Sequence, residues 1–197
     1  MKLKSGCSVP FPELLEEGYM VQENQIIANV GLDKIDSVIQ HFIEMHNEPL
    51  FFILEVPTNA IDETETSRGK VDKLHKDIYY IDGCFQKEAL TIISRFGELL
   101  YNDGLSSFGY GGHESGDEIM FSKYNVLTIY SRNIEKYNTF FDTHNIKKKD
   151  NVITAWDTFS REHPGDSKRI IIDGKDVFSI PKQFEDWGMY FAERREE

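Results

Sequence analysis

A chain of 197 residues can bury a sizeable core without disulfides or metals, and it is expected to form a single globular domain over residues 1–197. Its 34 acidic and 22 basic residues leave a formal charge of -12, which disfavours nonspecific attraction to nucleic acid or an anionic membrane, both polyanions. Hydrophobic residues at 40%, with 14 Phe and 9 Tyr, exclude a disordered chain.

Cys7 and Cys84 stand outside any metal or redox spacing, so neither a disulfide framework nor a structural zinc site is expected, and a reducing compartment fits. The start MKLKSGC carries lysines but no apolar stretch before Cys7, so export is not expected. No apolar run approaches the roughly 18 to 20 residues of a spanning helix. These features together predict a cytoplasmic protein.

In chain order, residues 1–31 give no firm pattern beyond QIIANV at 25–30, which suits a strand. From Asp33, the positions Ile35, Val38, Ile39, Phe42 and Met45 recur at helical spacing, and Pro49 helps to end that helix. LFFILEV at 50–56 has the β-branched and aromatic content of a buried strand closed by Pro57. Residues 58–75 are polar and read as an exposed loop. DIYYID at 77–82 is a second strand, followed by a helix with apolar positions Ala89, Ile92, Ile93, Phe96, Leu99 and Leu100. Gly104 is placed to end it in the left-handed conformation.

LSSFGY, EIMF and YNVLTIYS then read as three strands in meander. IEKYNTFFDTHN at 134–145 is expected to be helical, with the lysines at 147–149 complementing its dipole. REHPGD at 161–166 is a Pro-Gly turn. RIIIDGKDVFSI predicts a hairpin with a type I′ Asp-Gly turn. The segment from Pro181 onward is expected to be a terminal helix, with Pro181 in its first turn. On that helix Phe184, Trp187 and Phe191 share a core face, as Trp156 and Phe159 do elsewhere in the core, and Tyr190 sits at the surface. Helices and strands interleave without a βαβ rhythm, and the hairpins imply antiparallel pairing. The fold class is therefore α+β, a largely antiparallel sheet with about four helices packed on it.

The densest cluster of chemically able side chains is GYGGHESGDE, Gly109 to Glu118. It lacks the lysine of a P-loop and the following helix of a dinucleotide-binding turn. Four glycines point first to a hairpin loop, with recognition as its second role. His113, Glu114, Asp117 and Glu118 form the one candidate metal set, and it lacks EF-hand spacing. Cys84 at a helix start would be activated if exposed; burial is expected instead.

The main functional expectation is an acidic protein-binding module that neutralises a basic protein partner, as an immunity or antitoxin-type protein does. Charge complementarity would speed its association. The expected partner-binding residues are Asp62, Glu63, Glu65, His113, Glu114, Asp117, Glu118 and Tyr190. No cofactor is expected for this role. One alternative is a metal-assisted hydrolase or transferase using the His113–Glu118 loop, joined by His144 or His163. Another is a structural or regulatory subunit of an oligomer, which would expose a large apolar patch.

Overall fold

A computed structural model describes residues 1–66 and 74–196, with only the backbone described at 64–66. The strands are β1 (Cys7–Ser8), β2 (Gly18–Gln22), β3 (Gln25–Asn29), β4 (Leu50–Pro57), β5 (His75–Cys84), β6 (Ser107–Gly112), β7 (Glu118–Phe121), β8 (Val126–Tyr130), β9 (Asp166–Ser167) and β10 (Tyr190–Glu196). The α-helices are α1 (Leu32–Met45), α2 (Ala60–Thr66), α3 (Gln86–Asn102) and α4 (Ile180–Gln183). Eight strands form one antiparallel sheet in the order β10-β5-β4-β6-β7-β8-β3-β2, and β1 pairs with β9 in a separate ribbon. The class is α+β, as the alternation and turn signals predict.

Side chains alternate across a strand, so the sheet has two chemically different faces. On β4, Leu50, Phe52 and Leu54 are fully buried and face the two long helices. α1 supplies Ile35, Val38, Ile39 and Phe42 to this core, and α3 supplies Ala89, Ile92, Phe96 and Leu100. Burying each large apolar side chain contributes about 1.5–3 kcal/mol. Tyr110 of β6 is also wholly enclosed on this side and donates its hydroxyl to the Ala89 carbonyl at 3.1 Å. Residues 151–158 lie over one half of the opposite face, where Asn29 Nδ2 donates to the Ile153 carbonyl at 2.7 Å. The other half, toward Phe51 and Tyr190, is open.

Several expectations need correction. The stretch 1–31 contains the β2–β3 hairpin, turned at Glu23 with φ 52. Part of the supposed 58–75 loop is α2, with Thr58 and Glu63 buried, while residues 67–73 of that reading lie outside the described residues. Gly104 does not take a left-handed cap. It lies against Gly6, where a Cβ would overlap the Gly6 carbonyl, and it donates to the Lys168 carbonyl at 3.1 Å. Residues 134–145 form short 3₁₀ turns, Ile134–Tyr137 and Asp142–His144, and not an α-helix. Their run of Asn, Asp and Thr disfavours a continuous helix.

The Asp-Gly turn is present, with φ 49 at Asp173 and φ 73 at Gly174, but it is closed only by the Ile172–Lys175 bridge. The terminal segment has one short helix, α4, with Pro181 in its first turn, and then becomes the edge strand β10. The aromatic core reading consequently holds for Phe184, which is fully buried, and fails for Trp156, Trp187 and Phe191, which are exposed. Among the described residues, no helix is long and apolar enough to cross a membrane.

Candidate functional site

The open half of the sheet collects aromatic rings and carboxylates from distant parts of the chain. Register places Tyr80 beside both Ile53 and Tyr190, and Gly111 between Phe51 and Glu118. Gly111 has no side chain on this face because the Phe51 ring occupies that space, so a Cβ there would overlap it. Phe51 packs edge-on against Tyr80 at 5.6 Å and against His113 at 5.4 Å, and Tyr80 stacks with Tyr190 at 6.3 Å. Asp82 ties the far side of this row. It accepts the Tyr190 hydroxyl at 2.6 Å and lies 3.5 Å from His113 Nε2.

Glu118 projects from β7 onto the same face. It is half-buried and makes no hydrogen bond or ion pair among the described residues. Burial first, and the neighbouring Glu55 carboxylate second, push its pKa above the ordinary range. Glu55 itself is neutralised by Lys76 at 2.5 Å. Tyr190 is 46% exposed, so an aromatic surface with negative charge beside it faces solvent. Cations bind such a surface through the ring faces and the carboxylates together.

Beneath the β6–β7 turn lies a second, enclosed cluster. His46 and Asp117 are both buried, with His46 Nε2 3.1 Å from Asp117 Oδ2. Tyr137 donates its hydroxyl to the same oxygen at 3.0 Å, and the Lys136 ammonium also bonds it. His46 Nδ1 lies 2.7 Å from the Phe42 carbonyl, so that nitrogen carries the proton and Nε2 accepts from Lys136 Nζ at 3.3 Å. Burial lowers the His46 pKa, partly opposed by the Phe42 bond. Lys136 is likewise lowered by burial. The cluster is too enclosed to meet a substrate, and its effect is to fix the turn above it. Glu48 adds to that by accepting the backbone N–H groups of Glu114 and Ser115.

The sequence-nominated residues thus separate. His113, Glu118 and Tyr190 come together on the open face, and Glu114 stands exposed at the turn tip. Asp117 points inward and is unavailable to a partner. Asp62 pairs with Arg194 at 3.2 Å, and Glu63 is buried against His75 at 2.8 Å, so these two anchor α2 to the sheet. The side chain of Glu65 lies outside the described residues. The four proposed metal donors are not gathered, since Asp117 turns inward and Glu114 stands at the turn tip, and among the described residues no three His, Cys, Asp or Glu side chains are placed to hold a metal ion. His144 and His163 lie elsewhere, against His41 and Phe11. Cys84 is buried, and burial pushes its thiol up to about 11.

Phe51, Tyr80 and Asp82 escaped the sequence reading as site residues. Their only signal is the period-two alternation of their strands, of which LFFILEV reads as buried and DIYYID only as a strand. Compared with models of protein families, with curated proteins and with solved structures, the chain matches none.

Proposed function

We propose that this protein binds a basic protein partner through the open half of its sheet, acting in the cytoplasm as an immunity or antitoxin-type protein does. The observation that carries this reading is Glu118: a half-buried carboxylate held in no ion pair among the described residues and offset only in part by Arg195, on the same sheet face as Phe51 and Tyr80. A lysine or arginine from a partner would pair with Glu118 while its stem or plane lies over Phe51 and Tyr80, and further partner side chains would meet Tyr190 at the sheet edge. Aromatic anchors combined with complementary charge are what tight protein interfaces use. The formal charge of -12 adds long-range attraction for the same class of partner.

The test is affinity capture from an extract of the native cell with wild-type protein and with the Glu118→Gln and Tyr190→Ala variants, at low and high salt. A basic protein retained by the wild type and released by either variant or by salt is the expected result. A retained partner indifferent to both substitutions would place the interface elsewhere, and retention of no basic protein at either salt would count against the binding reading.

A further inference from the structure

On the opposite side of the molecule from the open sheet face, α1 carries His41 against His144, the last residue of the 3₁₀ turn Asp142–His144. We propose that these two histidines form a binding site for a divalent transition-metal ion of the zinc class. His41 Nδ1 and His144 Nε2 point at one another across 3.1 Å. Two imidazole nitrogens at about 2.0–2.1 Å from a tetrahedral zinc lie about 3.3–3.4 Å apart, so a metal enters when the rings separate by a few tenths of an ångström and each turns to aim its lone pair at a common point beside the N–N line.

Both rings are held in place by other contacts. His41 stacks on Phe140 with centroids 4.5 Å apart and planes 11° from parallel. His144 Nδ1 lies 3.1 Å from Ser37 Oγ, and that hydroxyl donates to the Lys34 carbonyl at 2.9 Å. Ser37 therefore accepts from His144 Nδ1–H, which leaves the Nε2 lone pair directed at His41. A hydrogen-bond acceptor on the nitrogen away from the ion is what orients metal-binding histidines in general. Without metal, His144 Nε2 accepts the His41 Nδ1 proton. On binding, that proton moves through solvent to His41 Nε2, and both facing nitrogens become donors to the ion.

Burial lowers the basicity of both rings, so the neutral form that a metal requires is favoured. Exposed Glu44, three residues on from His41, lines the same surface hollow and adds negative charge. The two imidazoles are the protein ligands and water fills the remaining positions. Paired imidazoles suit Zn²⁺, Ni²⁺ or Cu²⁺ and not Mg²⁺ or Ca²⁺. A bound ion would clip α1 to the irregular segment at 134–146.

Isothermal titration of untagged protein with Zn²⁺ and with Mg²⁺, paired with thermal unfolding in each ion, tests the site. The wild type is expected to take up one zinc per chain and to melt at higher temperature with zinc, and to do neither with magnesium. His41→Phe, which keeps the stack on Phe140, and His144→Gln, which keeps a polar group near Ser37, should each abolish both effects while the metal-free proteins remain folded. Absence of zinc uptake by the wild type, or undiminished uptake by both variants, would overturn the proposal, the latter by placing the ion at another of the six histidines.

Discussion

Asp117 and His46 meet beneath the β6–β7 turn at 3.1 Å, one from the sheet and the other from the end of α1, both shut away from solvent. Because Lys136 and Tyr137, neighbours in one 3₁₀ turn, converge on the same carboxylate oxygen, Asp117 joins three parts of the chain. Removing it leaves an ammonium and a phenol without their acceptor. Asp117→Ala is expected to lower stability by about 3 kcal/mol, read from urea unfolding. A loss of less than about 1 kcal/mol would show that the turn is held by Glu48 alone.

The same cluster sets a pH dependence. His46 has its pKa lowered from 6.5, mainly by burial, so the unfolded chain binds its proton at a higher pH than the folded one does. Stability is fully present above 6.5 and is lost as the pH falls through the folded value. His41 and His144 are lowered as well and act with the same sign. Unfolding free energies measured from pH 8 downward should decline below about 6.5, and His46→Gln should flatten part of that decline. An unchanged slope in the variant would assign the effect to the other two rings.

Lys4 presents the reverse problem, a buried cation without a hydrogen-bond partner on Nζ among the described residues. The Phe121 ring lies 4.8 Å from its ammonium, and burial, opposed in part by Cys7 and Asp103, brings its pKa down from 10.5 to about 8. Between those values the folded state binds fewer protons than the unfolded one, so stability should rise with pH there. Lys4→Met should remove that rise and stabilise the protein at neutral pH by about 1–3 kcal/mol. Destabilisation by the same substitution would indicate that the ammonium is satisfied by an internal water.

Gly109 is expected to be intolerant of any side chain. It lies inside β6, and a Cβ there would overlap the Ile119 carbonyl and the Met120 sulfur. Gly109→Ala should lower the thermal midpoint and cost about 1–3 kcal/mol, the range for overpacking. Gly116, which turns the chain with φ 69 and where a Cβ would meet only the Arg132 guanidinium at ordinary contact distance, should suffer only backbone strain of about 1 kcal/mol when changed to alanine.

These two glycines show where the sequence was informative. Four glycines in GYGGHESGDE implied a turn, yet Gly109 and Gly111 are strand residues whose missing side chains make room for packing across the sheet, a relation between residues far apart in the chain. Periodicity located α1, β4, α3 and the β6–β8 meander because each buries one continuous face. It misled at 184, 187 and 191, where helical spacing of aromatics coincided with a chain that becomes a strand at Tyr190. Cross-strand and long-range partners such as Asp82 with Tyr190, or Asp117 with His46, leave no local pattern, so the site could be glimpsed through His113, Glu118 and Tyr190 but not assembled.

The position of β10 has a consequence for synthesis. Its partner β5 is translated about a hundred residues earlier, so on the order of ten seconds separate the two at ribosomal rates. During that interval Tyr79, Tyr80 and Ile81 sit on an uncovered sheet edge, the type of surface on which nascent chains pair with one another. Slowed elongation before residue 190 should therefore favour aggregation of unfinished chains, and the edge strand acts as a late-arriving seal on a sheet that is otherwise complete.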